Sequence, residues 1–258
     1  MASIHPSAVV HPGAKLADDV EIGPFSVIGE HVTIGAGTRV GPHCVIEGHT
    51  TIGSGNVFHG SAYIGCAPQD KKYAGEPTRL TIGDNNSIYQ FVTISTGTSQ
   101  DEGLTSLGDD NWIMAYVHIA HDCHIGSHTI LANNATLAGH VHVGDWVFLG
   151  GFTTVHQFCK IGVHAMTAFT AAVTQDVPPF VTAAGNRAAP AGINSEGLRR
   201  RGYTAPQITE IKRAYKVLYR QGLSLEDACA EIVARAGDHP ELQPFVEFFP
   251  TATRGLIR

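Results

Sequence analysis

The chain has 258 residues, a net charge of −6, 29 glycines and only 16% charged residues. That charge excludes a nucleic-acid binder that works by phosphate neutralisation, and the glycine content points to many tight turns. Five cysteines (Cys44, Cys66, Cys123, Cys159 and Cys229) show no CxxC spacing, and the N-terminus lacks a basic start followed by an apolar run. A cytosolic protein with free thiols and no membrane span is expected.

An apolar residue recurs every six positions almost from the start: Ile4, Val10, Leu16, Ile22, Ile28, Ile34, Val40, Ile46, Ile52, Phe58 and Ile64. The series resumes at Ile82, Ile88 and Ile94. It returns from Leu107 through Ile113, Ile119, Ile125, Leu131, Leu137, Val143, Leu149 and Val155 to Ile161, then fades through Thr167 and Val173. Five residues into a unit a small or β-branched residue is common, as at Ser26, Val32, Thr38, Ala62 and Val117. A six-residue period belongs to neither a helix nor a simple alternating strand; it marks a stacked β-solenoid. The pattern resembles the hexapeptide repeat of left-handed parallel β-helix proteins. That resemblance implies a mainly β fold, a triangular prism with three units per coil, anchors inward and two residues turning each corner. Coils about 4.8 Å apart would make a prism on the order of 40 Å long.

Two loops interrupt the count, at about residues 66–80, with the run QDKKYAGEPTR, and at 98–106, where TSQDEGLTS shifts the register by one. Loops on a rigid scaffold are where function concentrates; the second reads equally well as a tolerated insertion. The repeat is expected to occupy 1–184 and a C-terminal α-helical domain 185–258. There Thr204 and Gln207 form a capping box before Ile208, Ile211, Tyr215 and Leu218, and Gly222 closes the helix. Ser224 and Asp227 open a second helix through Ile232 to Gly237, and a short one spans Pro240 to Phe249. This tail is expected to cap the open end of the prism.

Histidines cluster in the third run: His118, His121, His124, His128, His140 and His142. With three units per coil, His121, Gly139 and Gln157 share one corner column, and Asp122, His140 and Phe158 the next. His121 is expected to point out of the prism, with Asp122 setting its tautomer. Gly139, one coil away, offers a bare backbone N–H. A base beside an oriented donor is the minimum kit for acyl transfer. Each piece has a plainer explanation, since a surface histidine is usually solvated and a corner glycine usually serves turn geometry. His124, His128 and His142 have no such arrangement. The histidines also permit a zinc site like that of γ-class carbonic anhydrases, but only His124 and His142 match 18 residues apart, so no metal is expected.

The phrases HIAHDC, ILANNATLAGHV, TVHQFC, QDVPPF, EGLRRRG and TRGLIR are not dictated by the repeat. Together they resemble the UDP-N-acetylglucosamine 3-O-acyltransferase family, over essentially the whole chain. The resemblance implies a cytoplasmic homotrimer that begins lipid A synthesis in Gram-negative bacteria. It would move a 3-hydroxyacyl group from the phosphopantetheine of acyl carrier protein to the glucosamine 3-hydroxyl, with no other cofactor. By the same resemblance His121 is the general base, Asp122 its partner and the Gly139 N–H the oxyanion donor. Asp70, Lys72, His118, His140, His156, Gln157, Asn194, Glu196 and Arg201 would line the substrate cleft between subunits, Lys72 reaching a neighbour's site. The chain departs from the family at Ser95-Thr96, where His-Arg is usual, and at Arg187, where histidine is familiar. Phe169, at a position that limits acyl length, suggests a shorter chain.

Trimer contacts are expected from apolar residues on the flat faces, such as Trp146, Val147 and Phe152. Lys212, Lys216 and Arg220, at i, i+4 and i+8 of the first tail helix, with Arg199 and Arg200 just before it, form the expected docking surface for the acidic carrier protein. The enzyme rival is the N-acyltransferase of the same pathway, which carries an extra N-terminal domain, whereas here Ile4 already starts the repeat. A scaffold would need neither an exposed base nor an extruded loop.

Overall fold

The computed structural model describes residues 1–258. Short parallel strands, most of two residues, stack into three sheets that form the faces of a prism. The first face runs from Ser3–Ile4 through Trp112–Ile113, Ile130–Leu131 and Phe148–Leu149 to Val181–Ala184; the second, from Val9–Val10 through His118–Ile119 to Ala172–Val173; the third, from Lys15–Leu16 through His124–Ile125 to Lys160–Ile161. Partners in undisturbed coils are 18 residues apart, as Asn111 and Thr129 are. The separation grows to 30 between Asn56 and Asn86, across the first loop, and to 25 between Asn86 and Asn111, across the second. The four-residue strands Tyr63–Cys66 and Arg79–Ile82 flank the first loop, and Leu104–Leu107 closes the second.

The anchors do what their spacing requires. Ile22 through Ile64, Ile82 through Ile94 and Leu107 through Ile161 are almost wholly buried in one continuous core. Ser26, Val32, Thr38, Ala62 and Val117 form a second inward column, which also takes Cys44, Cys123 and Cys159. One expectation fails here: Val147 belongs to this inward column and is fully buried, so it offers nothing to a subunit contact. Trp146 and Phe152, which turn corners, are exposed.

At most corners the second turning residue takes a left-handed backbone, as Asp122 (φ 56°), His140 (φ 62°) and Phe158 (φ 66°) do. Its N–H is satisfied one coil below: His140 N donates to His121 O at 3.0 Å and Phe158 N to Gly139 O at 3.1 Å. Hydrogen bonding along the stack thus offsets the cost of placing side chains in the left-handed region.

Past the last coil, strand Ala189–Ile193 pairs antiparallel with Val181–Ala184, so residues just after 184 still extend the first face. Four helices follow, α1 (Ser195–Arg200), α2 (Ala205–Arg220), α3 (Leu225–Ala236) and α4 (Gln243–Phe248). The Thr204–Gln207 capping box starts α2 and Ser224 caps α3; the six-residue α1 is a helix the sequence pattern did not suggest. Glu210, buried in α2, is held by Arg213 and by Arg235 of α3. Buried Asp176 fastens the tail to the prism. Its carboxylate accepts from Lys160 N at 2.7 Å and from Arg254 N at 2.8 Å, while Ile257 enters the prism core and Leu256 the helical one. That placement accounts for the terminal TRGLIR phrase.

Candidate active site

The corner between the second and third faces carries His121 and Asp122. His121 Nδ1 lies 2.8 Å from Asp122 Oδ2. Asp122 is buried in a cradle of its own: Oδ1 accepts from Thr98 N at 2.8 Å, Oδ2 from Thr98 Oγ1 at 2.6 Å, and its N–H donates to Thr105 Oγ1 at 2.8 Å. Thr98 and Thr105 are the two ends of the second loop. Gly97 lets the loop approach, since a side chain there would meet Asp122 Oδ1 at 2.8 Å. A carboxylate held in this way accepts from the imidazole at Nδ1–H, leaving Nε2 as the free ring nitrogen.

His121 does not stand out into solvent as the corner geometry suggested; only 14% of its side chain is exposed. Gly139, one coil on, is the reason the ring fits. A Cβ at 139 would lie 2.5 Å from His121 Cε1 and 2.8 Å from Nε2. The Gly139 N–H donates to no backbone carbonyl, which leaves it available beside the ring. His140 presents an edge to His121, with ring centroids 5.1 Å apart, and stacks on Phe158 at 4.4 Å. Its Nδ1 is 2.7 Å from Asp101 Oδ2, in the middle of the second loop. The hydrogen bond from His140 is the main influence holding the Asp101 carboxyl below its ordinary range.

A depression of about 730 Å³ opens over this corner. His121, His140, Gln157 and Phe158 form one wall, and Asp70, Lys72, Gln100 and Asp101, from the two loops, form the other. Lys72 thus lines the same depression as His121. His118 lies one strand earlier, Nδ1 at 2.7 Å from Thr93 Oγ1. Burial, and then the charge of His121, push its imidazole down from the ordinary value. Two imidazoles and a carboxylate (His121, Asp122 and His140) would also suit a divalent cation, but the Asp122 oxygens are already taken up by Thr98 and His121.

Residues 105–139 match the family model for bacterial transferase hexapeptide repeats, and residues 176–257 match that described as Udp N-acetylglucosamine O-acyltransferase, domain 2. The chain is 64% identical, with all of both chains covered, to an acyl-(acyl-carrier-protein)–UDP-N-acetylglucosamine O-acyltransferase of Herminiimonas arsenicoxydans. It is 60% identical, again over all of both chains, to the protein so named in Thiobacillus denitrificans. The chain belongs to the UDP-N-acetylglucosamine O-acyltransferase family. Among solved structures, the UDP-N-acetylglucosamine acyltransferase of Francisella novicida superposes with a TM-score of 0.97 at 45% identity, covering 99% of this chain and 94% of that one. LpxA of Acinetobacter baumannii gives 0.96 at 43%, covering 99% of each. The fold is the left-handed parallel β-helix of these acyltransferases, and neither the N-acyltransferase nor the zinc alternative is favoured.

Other residues singled out by resemblance to the acyltransferases are not among those lining this depression. Asn194 caps α1, its Oδ1 accepting from Gly197 N at 3.1 Å and its Nδ2 donating to His164 O at 3.0 Å. Arg201 sits 5.2 Å over the Trp146 ring, with Nη1 3.2 Å from His164 Nδ1. His156 is exposed beside Arg254. Glu196 pairs on the surface with Arg199 at 2.9 Å and Arg200 at 3.1 Å. Those two arginines are thus partly neutralised within α1, which weakens them as part of a docking surface. Lys212, Lys216 and Arg220 stand exposed along α2. Phe169 is 67% exposed, edge-on to Phe152 at 5.6 Å, and Arg187 lies exposed in the turn before Ala189–Ile193. Ser95 and Thr96 are buried, so neither offers a surface contact. Sequence reasoning missed Thr98, Asp101 and Thr105. Their only signal is the acidic and hydroxylic composition of the loop, which says nothing about partners 17 to 39 residues away.

No helix is long and apolar enough to cross a membrane.

Proposed function

We propose that the chain transfers a 3-hydroxyacyl group from acyl carrier protein to the 3-hydroxyl of UDP-N-acetylglucosamine, opening lipid A synthesis in the cytoplasm. One observation carries the reading. A histidine held at Nδ1 by a buried, fully bonded carboxylate presents Nε2 over a glycine whose N–H is unpaired, in a depression lined by Lys72, His140 and Gln157.

In this reading His121 Nε2 takes the proton of the sugar hydroxyl as its oxygen attacks the thioester carbonyl. The new C–O bond forms and negative charge collects on the carbonyl oxygen, which the Gly139 N–H receives. Collapse breaks the C–S bond, and the leaving phosphopantetheine thiolate takes the proton from His121. Asp122 keeps its charge throughout and stabilises the imidazolium between the two steps. The acyl group arrives on its carrier, so the chain needs no cofactor of its own.

The absence of Asn194, Glu196 and Arg201 from the lining of the His121 depression fits a homotrimer in which they complete a neighbour's cleft. The exposed aromatic pairs Phe91–Tyr116 and Phe152–Phe169 support such a contact, since large apolar side chains left in solvent suit a subunit interface. Lys212, Lys216 and Arg220 are the proposed docking stripe for the carrier protein, and Phe169 with Arg187 sets the acyl-chain length.

The test is mass spectrometry of the product formed from UDP-N-acetylglucosamine and a panel of 3-hydroxyacyl carrier proteins. A single O-acylated sugar nucleotide, favoured with a shorter chain, is expected. Absence of any acylated sugar across the panel would refute the reading.

A further inference from the structure

The second loop does more than interrupt the repeat. Its ends, Thr98 and Thr105, bond Asp122, and its midpoint, Asp101, reaches the next coil to bond His140. The two histidines turn their Nδ1 atoms toward the same region. His121 Nδ1 lies 2.8 Å from Asp122 Oδ2, and His140 Nδ1 lies 3.9 Å from that same oxygen. Oδ2 already accepts from the Thr98 hydroxyl at 2.6 Å, so with His121 its two lone pairs are filled. A third donor would weaken the bond that orients His121. What keeps His140 away is Asp101, closer to its Nδ1 at 2.7 Å.

We propose that Asp101 is a positioning residue for the acyl transfer: it holds the Nδ1–H of His140, which presents Nε2 to the substrate and leaves Asp122 to His121 alone. The inference rests on the acyltransferase reading of this depression. Besides Asp101 and Asp122, the charged groups around His140 are Asp70, Lys71 and Lys72 across the depression and His121 at its edge. None of these is recorded within hydrogen-bonding distance of His140, whose stacking on Phe158 leaves the ring only its edges for polar contacts. Side-chain exposure of 13% for His140 and 40% for Asp101 places the pair at the rim, where it can both order the loop and meet a ligand.

The experiment has two arms on the full-length protein. Nitrogen NMR of histidine-labelled enzyme reads the tautomer of His140 without any turnover. Nδ1 protonated is expected in the wild type and in Asp101→Asn, whose amide oxygen still accepts. A neutral His140 protonated at Nε2 in the wild type would overturn the proposal. In steady-state kinetics, Asp101→Ala is expected to lower kcat about tenfold, the usual effect of losing a hydrogen bond to a charged group, with a smaller change in KM for the sugar nucleotide. Asp101→Asn should recover part of the loss. Because Asp101 acts through His140, Asp101→Ala should cost little further in a His140→Ala background. Full additivity, or an unchanged kcat for Asp101→Ala, would sink the idea. If the wild type acylates no sugar nucleotide, the functional reading fails, and the NMR arm still decides whether Asp101 fixes His140.

Discussion

Two corners of the prism, stacked in the same column, carry an acid beside a histidine. Near the N-terminus Glu30 and His31 turn the corner after Ile28; His121 and Asp122 turn it after Ile119. The coil register is shared, since Ile28 and Ile119 occupy equivalent anchors of the second face. Yet Glu30 and His31 meet only at 4.0 Å, with both side chains more than half exposed. At the other corner the contact is 2.8 Å and the carboxylate is sealed by Thr98 and Thr105. A pair of the first kind contributes little, because water screens it and two mobile side chains must be ordered to form it. The repeat supplies a place for such a pair; the inserted loop buries the carboxylate of one of them and fixes it with hydrogen bonds.

The sharpest way to separate scaffold from site is to damage the scaffold alone. Leu131, fully buried on the first face, should cost about 2–5 kcal/mol when changed to alanine, as cavity-forming core substitutions do. Urea denaturation should report that loss while kcat of the folded fraction stays within about twofold. A large fall in kcat there would mean that the coils do not merely hold the corner.

The seam between the prism and the helical tail offers a second contrast, in pH. His164 lies between Trp146 and Phe180, with Arg201 and Tyr203 at its ring nitrogens. Burial, and then the Arg201 charge, push its imidazole down from 6.5 to about 4. The folded chain therefore binds fewer protons here than the unfolded one, so this contribution to stability is complete above pH 6.5 and is lost as the pH falls toward 4. His164→Gln should flatten the stability profile in that window. An unchanged slope would show that His164 is not the group responsible.

The smallest expected effect concerns docking. Reversing Lys212 and Lys216 to glutamate should raise KM for the acyl-carrier donor several-fold and flatten its salt dependence, leaving KM for UDP-N-acetylglucosamine almost unmoved. An unchanged donor KM at low salt would place the carrier elsewhere.

What could be read in advance follows the same division. The anchors from Ile22 to Ile161 are legible because their period is local and every unit answers to the same packing constraint. The rule that the fifth residue of each unit turns inward already held the answer for Val147, which was instead expected on an outer face. The pairing of His121 with Asp122 was readable from adjacency, and Gly139 from the column spacing. The cradle around Asp122 and the partner of His140 were not, since both come from a loop whose contacts reach 24 residues to Asp122 and 39 to His140. Nor was the return of Ala189–Ile193 to the first face, where an antiparallel pairing replaces the repeat.

The most direct test of the account is His121→Ala, with kcat and thermal stability measured on the same preparation. Loss of a general base costs about 10²–10⁴-fold, and a side chain at the prism's corner contributes little to its core, so kcat should fall at least a hundredfold, roughly, with the melting temperature nearly unchanged. A variant that keeps more than about a tenth of wild-type kcat while remaining folded would show that His121 is not the base.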